Sequence, residues 1–363
     1  MPPFPPYLPP RGARRRAFAA ACVASLAHAT AVAQVPATAG AGKVPELKVS
    51  VAVGHALPLG KAAERWAERL SEAANGAFVA RLHPGATLAE RDPAREFLAL
   101  AEGRADLAVG SALQWSAQVP PLAVFALPWL APDPRDLAAL VADPALRAAL
   151  AQRLDAAGAV LVALAPLGHR AVATTGRAIR APADVAGLRL RIAPLPLVQE
   201  VLAALGAAPQ AMPFARAQAA FAAGTLDGQE GPVSAIAAGR ATAFGPKHLC
   251  DWGAFADVMV FAVRKPVWDG WSPAQRKAAI AAAEAAIGDA DALAREARAI
   301  EELAGKGVAV LRTTPAGHDA FRAAVRDVDA RWRETVGIDV VVVAERAIAG
   351  GRARPDPSPG TRP

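Results

Sequence analysis

Leu47-Lys48-Val49-Ser50-Val51-Ala52-Val53 alternates with a period of two, the pattern of a strand. Residues 61–75 follow and set Ala62, Trp66, Leu70 and Ala73 on one helical stripe, with Gly76 placed to end the helix. Ala77–Leu82 predicts a second strand. Residues 93–102 (PAREFLALAE) predict a helix that takes Pro93 in its first turn and stops before Gly103. Ala105–Val109 predicts a third strand. This β-α-β-α-β order argues for a parallel sheet flanked by helices.

The same rhythm continues outward. Val160–Ala165 and Gly187–Ile192 predict strands, and residues 195–205 and 214–223 predict helices. Residues 272–304 predict one long helix, with Ser272 as N-cap, Pro273 in the first turn and Gln275 at the capping-box position. Its stripe of Ala279, Ile280, Ala283 and Ile287 reads as core. Val308–Leu311 predicts a strand and residues 315–335 a last long helix. The chain has 363 residues, 53% of them hydrophobic, enough for an α/β protein of two lobes with a cleft between them.

The net charge of +7 suggests a nucleic-acid partner, but its distribution does not. Arg11, Arg14, Arg15 and Arg16 lie in the first 34 residues, which hold no acid. Without them 36 basic residues face 33 acidic ones, too small an excess for a nucleic-acid binder. Those arginines precede an apolar run, Ala17–Ala27, and the small-x-small site Ala31-Val32-Ala33. Residues 1–33 therefore predict a cleaved export signal, of general secretory or twin-arginine type, too short in its apolar part to span a membrane. Residues 34–43 read as a flexible leader and 349–363 as a disordered tail. Cys250 alone remains after cleavage, so the fold rests on core burial rather than on an internal disulfide.

Catalytic templates find no match. His55, His83, His169, His248 and His318 lack the helical spacing of a zinc site, and neither phosphate-binding nor nucleophile-elbow motifs occur. No metal or cofactor is expected. Asp227 and Glu230 form an acid pair in Asp227-Gly228-Gln229-Glu230, but Asp-Gly is first a turn former, and Glu230 reads as solvated. Leu188-Arg189-Leu190-Arg191-Ile192 is more informative. Period two puts both arginines on one face. Either this is an edge strand or a strand end whose arginines reach water, or Arg191 points into a cleft at the strand's C-terminal end, where open α/β sheets bind ligands. There a guanidinium would grip a carboxylate through two parallel hydrogen bonds.

Gly187-Leu188-Arg189-Leu190-Arg191, Ala207-Ala208-Pro209, Met212-Pro213-Phe214 and Leu226-Asp227-Gly228-Gln229-Glu230-Gly231-Pro232 occur in an order that resembles the DctP-type solute receptors of TRAP transporters. Gly54-His55, Pro84-Gly85-Ala86-Thr87-Leu88, Gly103-Arg104-Ala105-Asp106-Leu107-Ala108, Phe125-Ala126-Leu127-Pro128-Trp129-Leu130 and Gly168-His169-Arg170 with Thr174 and Thr175 are similar to further family segments. The resemblance runs from about Leu47 to Ile348. It implies an α/β, two-lobed periplasmic-binding-protein-like fold, each lobe a mostly parallel sheet flanked by helices, with a long helix spanning both. Lobe 1 would comprise residues 44–168 and 257–295, lobe 2 residues 169–256 and 296–348. It implies a periplasmic receptor that closes on a small organic acid and delivers it to TRAP membrane subunits. A monomer is expected rather than a dimer, with no nucleic-acid partner.

The resemblance makes Arg191 the carboxylate-clamping arginine and Arg170 the second cleft arginine; by itself Arg170 reads as a loop-surface charge. Glu230 and Gly231 occupy the binding turn, where a common family form has Asn in place of Gly231. Ser111, Gln114 and Trp115 stand in a turn that many members use to shape the pocket, Trp115 reading equally as core. Phe214 is placed to line the cleft wall and His55 in the first strand-to-helix turn. Trp252 and Phe255 read as core. Two rival functions are an enzyme acting on an organic acid, which would need a nucleophile–base constellation, and a sensory receptor feeding a signalling membrane protein.

Overall fold

A computed structural model describes residues 44–238, 245–288 and 292–353. The expected export signal and leader lie outside the described residues, as does the expected tail beyond residue 353. Nine strands form one sheet among the described residues: β1 (Glu46–Val51), β2 (Val79–His83), β3 (Leu107–Ser111), β4 (Ala159–Thr174), β5 (Arg189–Ile192), β6 (Ala208–Ala211), β7 (Gly228–Pro232), β8 (His248–Arg264) and β9 (Ala309–Arg312). Their order is β2-β1-β3-β8-β4-β7-β5-β6, with β9 also on β8. β1 runs parallel to β2 and β3, β5 parallel to β6 and β7, and β8 parallel to β9. The two long strands β4 and β8 run antiparallel to each other and join the two parallel groups into the two-lobed α/β fold.

The first strand-helix-strand units form where the periodicity places them. Val49 and Val51 of β1 are fully buried on one face, under the Pro58–Ala73 helix, which starts earlier than its stripe because Pro58 takes the first turn. Trp66 of that helix lies against Phe261, and its indole N–H donates to the Ala279 carbonyl at 3.2 Å. That bond ties the first helix to Pro273–Gly288, so the two helices share one core over β1, β3, β8 and β4. A second cluster fills the opposite side, from Phe97, Leu122 and Trp129 through Trp252, Phe255 and Phe321 to Leu190 and Val201. A third, smaller one sets Ala171, Ala173 and Leu249 against Ala299 and Leu303.

The capping box expected at residue 272 forms: Gln275 N–H donates to Ser272 Oγ at 3.3 Å and Ser272 N–H to Gln275 Oε1 at 2.9 Å. The long helix beyond it is described as Pro273–Gly288 and Ala292–Gly305, residues 289–291 lying outside the described residues. The helix expected over 315–335 is instead two, Pro315–Ala324 and Arg326–Val336. Val325 between them leaves helical geometry at φ −116° and buries its β-branched side chain in the core. The expected tail also starts too early, because Ile338–Arg352 is a helix that buries Ala347 and Ile348. β8 was missed altogether. It is buried on both faces over most of its length, so its apolar run carries no alternation to read. Among the described residues no helix is long and apolar enough to cross a membrane.

Candidate functional site

Two arginines and two carboxylates converge where β4, β5, β7 and β8 meet. Arg170 on β4 lies in register with Pro232 of β7 and Phe255 of β8. Its guanidinium forks onto Glu230: Nε–H donates to Oε1 at 2.6 Å and Nη2–H to Oε2 at 2.8 Å. Arg170 is 5% exposed and Glu230 fully buried. Glu230 is thus not a solvated turn residue. Nor is Arg170 a loop-surface charge, since the strand read over 160–165 runs on to Thr174. Asp257 of β8 is the second carboxylate, 4.0 Å from Arg170 Nη1. It accepts from Ser111 Oγ–H at 2.6 Å and from the backbone N–H groups of Val258 at 2.8 Å and Leu113 at 3.2 Å. Burial pushes the Asp257 carboxyl up, while Arg170 and those three donors pull it down.

Arg191 sits near the C-terminal end of β5, half-buried, and its Nε–H donates to the Met212 carbonyl at 3.0 Å. Burial lowers its pKa to about 10; Glu230 opposes the drop and the like charge of Arg170 adds to it. The group stays cationic at neutral pH but has already lost part of its hydration, so an arriving anion strips less water from it. Arg189 has a different environment. Its Nη2–H donates to Asp227 Oδ1 at 2.7 Å and its Nε–H to Oδ2 at 3.0 Å, an outer ion pair that holds the Asp227 carboxyl below its ordinary range. β5 lies between β7 and β6 and is no edge strand, yet Arg189 at its start still reaches water, while Arg191 is drawn toward the buried cluster. Asp227 and Glu230 serve different arginines and form no acid–base pair.

The remaining expected residues divide. Ser111 caps the short Ala112–Trp115 helix, accepting the Gln114 N–H at 3.1 Å, and spends its own proton on Asp257. Gln114 Oε1, and Gln229 Oε1 on β7, are buried with no hydrogen-bond partner among the described residues. Gly231 faces open space, with nothing within 4 Å of where a Cβ would stand. Trp115 does not join the cluster. It is fully buried, edge-on to Phe97, and lies so close over Gly110 that a Cβ there would be 2.0 Å from the indole. His55 is exposed in the turn after β1. Phe214 opens the Phe214–Ala222 helix, its side chain lying outside the described residues. Trp252 and Phe255 are core, as expected.

Asp257 and Gln229 were not singled out from the sequence. A signal for Asp257 existed: it is a lone acid inside the apolar run Ala254–Val263, and such an acid needs a buried partner. Two cavities, of about 470 Å³ beside Arg322 and Arg333 and about 380 Å³ beside His169 and Arg312, are lined by none of Arg170, Arg191, Glu230 or Asp257. Among the described residues no group of three or more His, Cys, Asp or Glu is placed to hold a metal ion.

Residues 49–335 match the sequence pattern of the DctP family, described as bacterial extracellular solute-binding protein, family 7. A TRAP periplasmic solute-binding protein of Ralstonia eutropha, solved with bound (S)-2-acetolactate, is 40% identical. It superposes with a TM-score of 0.79 over 84% of this chain and 99% of its own. The sugar acid binding protein DctPAm of Advenella mimigardefordensis, solved with galactonate, shares the fold at a TM-score of 0.75 and 21% identity, over 85% of this chain and 99% of its own. A solute-binding protein of Verminephrobacter eiseniae is 26% identical over 80% of this chain and 86% of its own length. The protein y4mM of Sinorhizobium fredii is 31% identical over 61% of this chain, a match that spans only 40% of y4mM. The family pattern thus covers the sheet, the arginine–carboxylate cluster and the capped helix that follows, and the chain belongs to family 7 of the bacterial extracellular solute-binding proteins, the DctP type.

Proposed function

We propose that this chain is a periplasmic receptor that captures a short organic acid on Arg191 and hands it to the membrane subunits of a TRAP transporter. The observation that carries the reading is the half-buried Arg191 guanidinium beside the buried Arg170–Glu230 fork. The fork fixes one arginine rigidly, and a rigid, partly dehydrated neighbour binds a carboxylate with little reorganisation. Residues 44–168 with 257–295 form one lobe and residues 169–256 with 296–348 the other, so β4 and β8 cross between them. Closure of the lobes over the acid expels water and strengthens the ion pair, and the ligand stabilises the closed form by its differential affinity for it. The ligand class is a short 2-oxo or 2-hydroxy carboxylate, supported by the (S)-2-acetolactate held by the 40% identical Ralstonia eutropha protein. Residues 1–33 direct its export and are then cleaved, and the receptor works as a monomer.

Calorimetric titration of the purified protein with (S)-2-acetolactate tests this. Arg191→Ala weakens binding by about 2–5 kcal/mol, because the buried carboxylate loses its partner. Arg191→Lys also weakens it, since a point charge cannot offer the planar fork. Unchanged affinity in Arg191→Ala would remove Arg191 from the site.

A further inference from the structure

His169 is the member of Gly168-His169-Arg170 that the binding site does not use, and it is 2% exposed. Its Nδ1 lies 3.2 Å from Glu296 Oε1 and 3.3 Å from Oε2, and its Nε2 3.0 Å from the Ala131 carbonyl. A carbonyl only accepts, and an ionised carboxylate only accepts. With Glu296 ionised, as its lowered pKa favours, both ring nitrogens carry protons and the ring is an imidazolium. Glu296 Oε2 accepts the His169 backbone N–H as well, at 2.7 Å. That approach requires Gly168, whose φ is +117° and whose Cβ would stand 2.7 Å from the same oxygen.

The position of this pair gives it a use. The β4–β8 register shifts between Pro166 and Gly168 and again between Arg170 and Val172, so the backbone bends on both sides of His169. Ala131 belongs to the large core cluster, whereas Ala299 and Leu303, on the helix that carries Glu296, belong to the small one. Alternation along β4 turns His169 away from the face that bears Arg170. We propose that the His169 imidazolium, clamped between Glu296 and the Ala131 carbonyl, is a positioning residue that fixes the strand crossover and thereby aims Arg170, making solute affinity depend on pH. This extends the receptor reading above and rests on it for the solute.

The charged groups around the ring come from every packed element. Glu296 faces it from the Ala292–Gly305 helix, Asp251 from β8, Arg312 from β9, His318 from the Pro315–Ala324 helix and Asp133 from the segment before residue 134; all six, His169 included, line the cavity of about 380 Å³. Arg312 Nε is 3.5 Å from Asp251, which dilutes the field of that acid. Burial opposes the imidazolium, but Glu296 outweighs it, so the ring holds its proton above the ordinary histidine range and Glu296 loses its own more easily. The clamp is complete below the ordinary histidine pKa and is lost as pH rises through the raised one.

Long-range ¹H–¹⁵N spectra of the ligand-free protein, recorded from about pH 6 to about pH 9, test the proposal without a ligand. Both His169 nitrogens are protonated at neutral pH, and the Arg170 Nε–H signal moves with the His169 titration. Glu296→Gln brings that titration to lower pH. A neutral His169 ring at neutral pH, or an Arg170 signal indifferent to its titration, would overturn the proposal. In parallel, (S)-2-acetolactate binding weakens by about tenfold as wild-type His169 deprotonates and stays flat in His169→Gln. If acetolactate fails to bind at any pH while the two signals still move together, the ligand assignment falls and the positioning role stands.

Discussion

A Cβ built on Gly231 meets no heavy atom within 4 Å, whereas one built on Gly168 stands 2.7 Å from Glu296. The same residue type serves opposite ends. Gly168 is required, because a carboxylate must reach the backbone N–H of His169 and the backbone there is left-handed. Gly231 leaves room on β7, two residues from the buried and unpartnered Gln229 Oε1. Its φ is not left-handed, so a side chain is tolerated. Gly231→Asn is accordingly expected to leave stability within about 1 kcal/mol of the wild type. It should also shift selectivity from acetolactate toward acids with more hydroxyl groups, such as galactonate. Denaturant melts read the first and competition calorimetry the second; a loss well beyond that range would show that the space is not open.

Glu96 shows how a helix can conceal a polar core residue. The segment Pro93-Ala94-Arg95-Glu96 reads as an ordinary acidic helix start, yet Glu96 is fully buried and accepts from Ser50 Oγ–H of β1 at 3.1 Å. Burial pushes its carboxyl up to about 8, against the pull of Ser50 and Trp115. The unfolded chain releases this proton near 4.5 and the folded one near 8. The contribution to stability is therefore whole below 4.5 and is lost as pH rises through 8. Glu96→Gln carries no proton to lose, so its Tm should decline less than that of the wild type across this window; equal slopes would mean that Glu96 ionises normally. His169 acts with the same sign in both proteins, and the difference isolates Glu96. At this scale the sequence is legible where polar and apolar residues alternate or a cap is written locally. β1, the Pro58–Ala73 helix and the Ser272–Gln275 box were readable, because period and capping chemistry are local. β8 and the break at Val325 were not, because burial on both faces erases period and a core contact overrides helix continuity.

At the scale of the molecule, the parallel strand–helix units were legible but their joining was not. The alternation of strands and helices predicts parallel pairing, while β4 and β8 run antiparallel over their whole length, and only the pairing of distant segments shows this. The cluster was half legible for the same reason. Arg191 stood out by its alternation with leucines and Arg170 only through the family resemblance, while Asp257, in an unread strand, stayed hidden until β8 paired with β3 and β4. In the proposed reading Arg170 and Arg191 both belong to the lobe of residues 169–256 and 296–348, and β5 pairs with β6 and β7 rather than with the β4–β8 crossover, so the acid favours the closed form only by also meeting the lobe of residues 44–168 and 257–295. A ligand that binds only the folded state stabilises it by about 2.7 kcal/mol at a hundredfold its Kd. For a folded body of about 300 residues that raises Tm by roughly 4 °C. Acetolactate is expected to produce this rise together with a smaller radius of gyration in X-ray scattering, and Arg191→Ala to abolish both. A rise in Tm without compaction would mean that the acid binds one lobe alone, and closure would then have to be driven by the transporter rather than by the solute.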